Sequence, residues 1–313
     1  MKRKGNPLDG VLLLDKPAGI TSNAALQQAK RLFGAAKAGH TGTLDPLATG
    51  LLPVCFGEAT KFAGLLLEAD KTYLATIQLG ASTTTGDAEG EVTFRGDVTG
   101  LDPARIAAVL EQLTGVQEQV PPMYSALKRE GRPLYAYARA GETVERSSRS
   151  VTIHELAAVS IEPEVLQLRL RVSKGTYVRS IAEQIGERLG CGAHLKALRR
   201  EATGGLRLAD SITLERLSAL PPAQRVAVLR PVDILVAPLP RGELDALSAA
   251  ALQQGQTVGT ALMLASGLVR LYDAAGAFLG VGEMQGCGRV APRRLVATRR
   301  PAAEKIGAGG AAA

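Results

Sequence analysis

Two stretches of strict alternation constrain this chain more than anything else in it. In residues 165–173, Leu166, Leu168, Leu170 and Val172 fall on one side, with Gln167, Arg169 and Arg171 on the other. In residues 71–79, Tyr73, Ala75, Ile77 and Leu79 share a side, and Thr72, Thr76 and Gln78 make most of the opposite one. Successive side chains of a strand point to opposite faces, so a period of two reads as a half-buried strand. Residues 11–14 read as a shorter buried strand ending in a turn at Asp15-Lys16-Pro17. Helical signals lie between these strands. Thr21 or Ser22 can cap a helix reaching about Phe33, with Gly34 as its stop. Asp102-Pro103 opens a second, which runs to Leu113 and is followed by Gly115. The turn Lys174-Gly175-Thr176 leads to Tyr177 and Arg179 at the start of a third, reaching about Leu189. Strands and helices follow no regular βαβ repeat, which predicts an α+β fold: a mixed, largely antiparallel sheet with flanking helices.

At 313 residues, the length suits a large unit plus a smaller one. A proline-bearing linker is expected over 231–240. Beyond it, strands at 268–272 and 278–284, separated by Asp273-Ala274-Ala275-Gly276, predict a small β-rich domain ending in an arginine run. The expected division is therefore 1–236, 237–300 and an Ala/Gly-rich, disordered tail over 301–313. The N-terminal residues do not resemble a signal peptide, and no segment approaches the roughly 18 apolar residues of a membrane span. Cys55, Cys191 and Cys287 lie far apart with no CxxC pair, so neither a disulfide framework nor a zinc site is expected, and they read as buried small hydrophobes. A soluble cytoplasmic protein is expected.

The net charge is +7, which favours a polyanionic partner. Residues 289–300 hold Arg289, Arg293, Arg294, Arg299 and Arg300 and no acid. Residues 124–149 combine Lys128, Arg129, Arg132, Arg139, Arg146 and Arg149 with Tyr124, Tyr135 and Tyr137, in an insertion over about 121–150 opened by Pro121-Pro122. Cations interleaved with flat aromatics suit looped nucleic acid; a solvated charged helix is the alternative. The segment Gly39-His40-Thr41-Gly42-Thr43-Leu44-Asp45-Pro46-Leu47-Ala48-Thr49-Gly50 places one carboxylate in a glycine-punctuated loop. Asp45 there is either a loop cap or a reactive group. No P-loop, GxGxxG, HExxH or GxSxG is present, and three histidines, His40, His154 and His194, argue against an imidazole-built metal site.

Several motifs together resemble the bacterial tRNA pseudouridine-55 synthases. They are the 39–55 segment, Lys71-Thr72-Tyr73, Pro122-Met123-Tyr124-Ser125-Ala126-Leu127-Lys128, Ser173-Lys174-Gly175-Thr176-Tyr177-Val178-Arg179 and Gly190-Cys191-Gly192-Ala193-His194. Gly288-Arg289-Val290-Ala291-Pro292-Arg293-Arg294-Leu295 resembles the close of that family's C-terminal PUA domain, and the likeness runs from about residue 10 to 296, weakly over parts of 237–262. The resemblance implies a pseudouridine synthase fold and isomerisation of one T-loop uridine: the ribose C1′–N1 bond breaks, the base turns, and C1′ rejoins C5. No cofactor and no metal are implied. Asp45 matches the essential aspartate, acting at C1′, at C6 or on the C2′ proton. Arg179 matches the arginine that keeps it ionised, Tyr73 the tyrosine that stacks on the base, and Tyr177 and Leu198 the pocket lining. His40 matches a histidine contacting the RNA loop. Lys16, Lys61 and Lys174 are phosphate contacts or ordinary surface lysines, while Cys55, Cys191 and His194 read as structural. The insertion corresponds to a mobile segment closing over the T-arm, and the C-terminal domain to the part holding the acceptor side. The implied partner is thus tRNA, through T-arm, elbow and acceptor side, bound by a monomer with no membrane or obligatory protein partner.

Overall fold

The structure, a computed structural model of the chain, describes residues 5–261 and 264–297. The chain clusters into two compact units, Met1–Leu235 and Val236–Ala313.

The first unit is built on a ten-stranded sheet. Along its path lie Ile212–Thr213, Gly10–Lys16, Thr49–Phe56, Ala193–Thr203, Lys71–Leu79, Val165–Val172, Arg149–Ile161 and Gly115–Gln119. Ala38–His40 adds to Thr49–Phe56, and Leu206–Arg207 to Ala193–Thr203. The pairs Gly10–Lys16 with Ile212–Thr213, and Thr49–Phe56 with Ala193–Thr203, are parallel, and the other neighbours run antiparallel. The mixed, largely antiparallel α+β arrangement expected from the alternation is what forms. The two alternating stretches are direct neighbours, with Leu170 opposite Tyr73 and Leu168 opposite Ala75. This register stacks their apolar sides on one face, where a slip of one residue would expose them. Helices Pro103–Leu113 and Val178–Leu189 cover that face through Ile106, Leu110, Leu113, Ile181 and Ile185. A second cluster packs helix Ser22–Phe33 against Leu12, Leu14, Leu52, Val54 and Phe56.

The caps act as their residue types dictate. Thr21 accepts from the Ala24 N–H and Asp102 from the Arg105 N–H. Gly190 closes its helix at φ 75°, a left-handed conformation that costs other residues more. One expectation is corrected. The first strand does not turn at Asp15-Lys16; it continues through both, which pair with Leu51 and Gly50. Tertiary partners for the two charges allow this: Asp15 meets Arg199 at 2.7 Å, and Lys16 donates to the Pro46 carbonyl at 3.3 Å. The helix opened by Asp102-Pro103 runs to Leu113 as expected, with Thr114 as its C-cap and Gly115 opening the next strand. Within the expected linker, Val232–Val236 forms a 3₁₀ turn with Leu235 and Val236 buried. Cys55 and Cys191 are buried free thiols, and burial pushes the Cys55 thiol up to about 12; the Cys287 side chain lies outside the described residues. The basic insertion folds as paired strands Lys128–Arg129 and Arg132–Pro133 followed by helix Leu134–Arg139.

The second unit has a five-stranded sheet in the order Arg241–Leu244, Gly267–Asp273, Phe278–Gln285, Arg289–Leu295, Val258–Gly259, with helix Ala246–Gln253. Leu252, Val269, Leu271, Leu279, Met284 and Val290 form its core. The arginine run is therefore largely a strand, with Val290 inward and Arg289, Arg293 and Arg294 outward. Arg293 is ion-paired with Glu283 of the neighbouring strand. Arg299, Arg300 and the 301–313 tail lie outside the described residues. No helix among the described residues is long and apolar enough to cross a membrane.

Gly186 sits within the Val178–Leu189 helix where a Cβ would lie 2.1 Å from the Ala193 backbone nitrogen. Helix propensity alone would make Gly186→Ala stabilising by about 0.5–1 kcal/mol. The clash with the strand backbone reverses the sign, to a loss of about 1–3 kcal/mol. Urea unfolding of the variant checks this, since a gain in stability would contradict the helix–strand contact.

Candidate active site

The loop between His40 and Thr49 is held by buried polar groups on three sides. The Ser22 hydroxyl donates to the Leu44 carbonyl at 3.0 Å and accepts from the Leu44 N–H at 2.8 Å. Lys16, fully buried, donates to the carbonyls of Pro17, Ile20 and Pro46. Arg200, 1% exposed, donates through Nε to Leu51 and through Nη2 to Gly42. Together these clamps fix the main chain before, after and beside Asp45.

Asp45 faces Arg179, the second residue of the Val178–Leu189 helix. Arg179 is 4% exposed, and its guanidinium has four partners. Nη2 lies 3.1 Å from Asp45 Oδ2 and donates to the Tyr124 carbonyl at 2.7 Å. Nη1 lies 3.5 Å from Asp87 Oδ2 and donates to the Thr85 carbonyl at 3.2 Å. A cation in the first turn of a helix sits at the wrong end of the macrodipole, and two carboxylates offset that. The Asp45 side chain keeps 38% of its surface open, toward the cleft. Desolvation by the walls still dominates and raises its pKa above the usual carboxylate value, while Arg179 pulls it down, Asp87 pushes it up and Lys16 pulls it down.

The cleft has two lobes. The first, about 390 Å³, is lined by Asp45, Tyr73, Tyr177, Arg179 and Leu198, with Lys71, Arg149 and Arg200 among the remaining walls. The second, about 510 Å³, shares Asp45 and Arg179 and adds His40, Asp87, Tyr124 and Tyr135. Both volumes suit a small-molecule or nucleotide-sized ligand. Tyr73 comes from the alternating Lys71–Leu79 strand, buried but cleft-lining. The Tyr177 main chain is clamped at both ends by the buried Gln119 side chain, whose Oε1 accepts at 2.7 Å and whose Nε2 donates at 3.0 Å. The Arg149 guanidinium stacks over the Tyr177 ring at 4.9 Å.

Five of the expected site residues, Asp45, Arg179, Tyr73, Tyr177 and Leu198, thus converge on one lobe. His40 does not join them. It lines the second lobe with Nδ1 buried and unpartnered, and burial followed by the nearby Arg200 lowers its pKa. Lys16 is corrected, being neither a surface lysine nor open to a phosphate; burial lowers its pKa to about 8. Lys61 pairs with Glu58 at 2.6 Å, and Lys174 with Glu68. His194 Nδ1 donates to the Ala81 carbonyl at 2.8 Å, as a structural residue would. In the insertion, Arg132 stacks on Tyr137 and Arg139 on Tyr135, so its cations and aromatics partly serve each other.

Asp87 was not singled out from the sequence. It is buried, bonded by the Thr85 hydroxyl at 2.6 Å, and held where the 86–88 backbone pairs with Leu195. A signal existed: Thr83-Thr84-Thr85-Gly86-Asp87 is a second glycine-bearing polar turn carrying an acid. Arg200 and Lys71 were missed as well. Lys71 donates to the Leu67 and Ala69 carbonyls, and burial lowers its pKa to about 8. Among the described residues, no group of three His, Cys, Asp or Glu is arranged to hold a metal ion.

Residues 30–178 match the model of the TruB family pseudouridylate synthase N-terminal domain. Residues 179–237 match that of the tRNA pseudouridylate synthase B C-terminal domain, and 240–296 the pseudouridine synthase II TruB C-terminal model. The chain belongs to the TruB family of pseudouridylate synthases. It is 56% identical to a tRNA pseudouridine synthase B of Aromatoleum aromaticum over 93% of this chain and 94% of that one. It is 53% identical to one of Methylobacillus flagellatus over 94% and 97%. A solved Cbf5-Nop10-Gar1 complex contains a chain of the same fold, with TM-score 0.71 and 26% identity, covering 91% of this chain and 84% of that one.

Because Arg179 is buried between two acids, Arg179→Met leaves Asp87 buried without its cationic partner, and stability at neutral pH falls by about 3–5 kcal/mol. It also removes a cation that lowers the Asp45 pKa, so that pKa, already raised, climbs further. A carboxylate with a raised folded pKa destabilises above that pKa and ceases to do so as protonation sets in, so the deficit shrinks as the pH falls. Urea unfolding of variant and parent at neutral and mildly acidic pH measures both effects; a deficit independent of pH would contradict the electrostatic account.

Proposed function

We propose that this pseudouridine synthase acts on tRNA and isomerises the T-loop uridine at position 55. The observation carrying the reading is an aspartate paired to a buried guanidinium at the floor of a cleft walled by two tyrosines. A uridine folded into a loop must leave its stack before any group reaches C1′, at a cost of a few kcal/mol. Stacking on an aromatic such as Tyr73 returns about 1–3 kcal/mol. Tyr177 and Leu198 shape the rest of the base pocket. Asp45 is the group that acts on the nucleoside, at C1′, at C6 or on the C2′ proton, and Arg179 keeps it anionic and aimed. Asp87 and the Tyr124 and Thr85 carbonyls keep Arg179 aimed in turn. Breaking C1′–N1 and forming C1′–C5 conserves every atom, with the C5 proton lost and one gained at N1, so the balance requires no oxidant or reductant. His40, in the adjoining lobe, contacts the loop around the extruded nucleotide.

The domain roles follow the same reading. Residues 1–236 carry the chemistry, the 121–150 insertion closes over the T-arm, and 237–300 form a PUA-like domain that holds the acceptor side. The enzyme works as a cytoplasmic monomer without a guide RNA or protein helper.

Asp45→Asn removes the anion but keeps the size of the side chain. The expected result is loss of pseudouridine formation in an unmodified tRNA transcript, with binding of that transcript kept within a few-fold of the parent. Turnover by the variant at the parent rate would refute the assignment of Asp45. Failure of the purified parent to modify the transcript without helpers would favour a guide-dependent synthase instead. Basic contacts to phosphate predict a second outcome. Each neutralised phosphate releases counterions, so log K falls by roughly 0.7–0.9 per contact for each unit of log salt. A titration from low to moderate salt reads the slope, and a flat response would remove phosphate contacts from the account.

A further inference from the structure

Ser125 Oγ, like His40 Nδ1 and Arg149 Nε, is a polar atom of the cleft walls that the fold leaves unsatisfied, and it alone of the three belongs to both lobes. The residue is 4% exposed, and its Oγ is buried with no hydrogen-bond partner. Burying a hydroxyl in that condition is unfavourable, and a ligand atom supplies the missing partner most directly. Its position is fixed on every side. Its N–H donates to the Met123 carbonyl at 2.9 Å, and its carbonyl accepts from the Tyr135 N–H at 3.1 Å. The carbonyl just before it, of Tyr124, accepts from Arg179. The guanidinium that pairs with Asp45 therefore also anchors Ser125.

The two lobes share Thr43, Leu44, Asp45, Ser125, Ala126 and Arg179, which form the neck between them. Tyr73 and Tyr177 line the first lobe and not the second. A base stacked on these rings puts its sugar in the neck, because C1′ must come within reach of Asp45. Ribose offers its 2′-hydroxyl there as both donor and acceptor, whereas its ring and ester oxygens only accept. A serine hydroxyl has the same dual capacity. Resting on the reading of this cleft as the uridine site, we infer that Ser125 hydrogen-bonds the 2′-hydroxyl of the extruded nucleotide and so reads ribose against deoxyribose.

The test is a double-mutant cycle in equilibrium binding. Parent, Ser125→Ala and the near-isosteric Ser125→Cys are titrated with two otherwise identical tRNA transcripts, one carrying uridine and the other 2′-deoxyuridine at the target position. With the ribose substrate, Ser125→Ala weakens binding by roughly 3- to 30-fold, the range for removing one hydrogen bond from a buried partner. With the deoxy substrate, the loss stays below about twofold. Ser125→Cys shows the same selectivity, and thermal unfolding verifies that both variants remain folded. Equal losses on the two transcripts would make Ser125 a structural residue, and no loss on either would remove it from the site; both overturn the inference. Inability of the parent enzyme to form pseudouridine in the ribose transcript would instead overturn the underlying reading.

Discussion

Everything at this site depends on one buried guanidinium. Arg179 carries its charge into a place where only 4% of it meets solvent, which is unfavourable unless all its donors are used. Its two Nη groups meet two carboxylates and two carbonyls from three separate segments of chain. The result is a fixed positive charge beside a carboxylate that opens on a cleft. Desolvation alone would drive Asp45 toward its neutral form, and the arginine opposes that while leaving one face of the acid free.

Such an arrangement needs a loop that does not yield, and the scaffold supplies one. Ser22, Lys16 and Arg200 each direct a side chain at main-chain groups of the Asp45 loop or its neighbours, and all three are buried. These are long-range contacts: Arg200 reaches Gly42 across 158 positions of sequence. Rigidity therefore comes from the sheet, where the strand carrying Arg200 lies between the strands carrying Tyr73 and Thr49. The glycines of the loop let its backbone pass close to these groups, and the sheet decides where it stops.

Much of the fold was legible because its signals are local. Alternation in residues 71–79 and 165–173 needs only the pleat to be understood, and both stretches became strands with the anticipated faces. The caps at Thr21, Gly34 and Asp102 depend on chemistry within one turn. The first strand was misjudged at Asp15-Lys16 because a charged pair reads as a turn unless its partners are known, and those partners, Arg199 and the Pro46 carbonyl, are remote in sequence. Asp87 was overlooked for the same reason, since nothing near it in the chain announces Arg179.

The amino-acid order alone revealed the alternating strands, three capped or turn-started helices and the motifs that assign the chain to its family, along with an acid in a glycine-rich loop. These are properties of neighbouring residues and of motif order. It took the assembled fold to bring Asp87 into the expected pair of Asp45 and Arg179, to make Lys16 part of the frame and not of the surface, and to turn His40 into a different lobe from Tyr73. Burial and the pairing of charges are set by segments that meet only once the sheet has formed, so no local pattern encodes them.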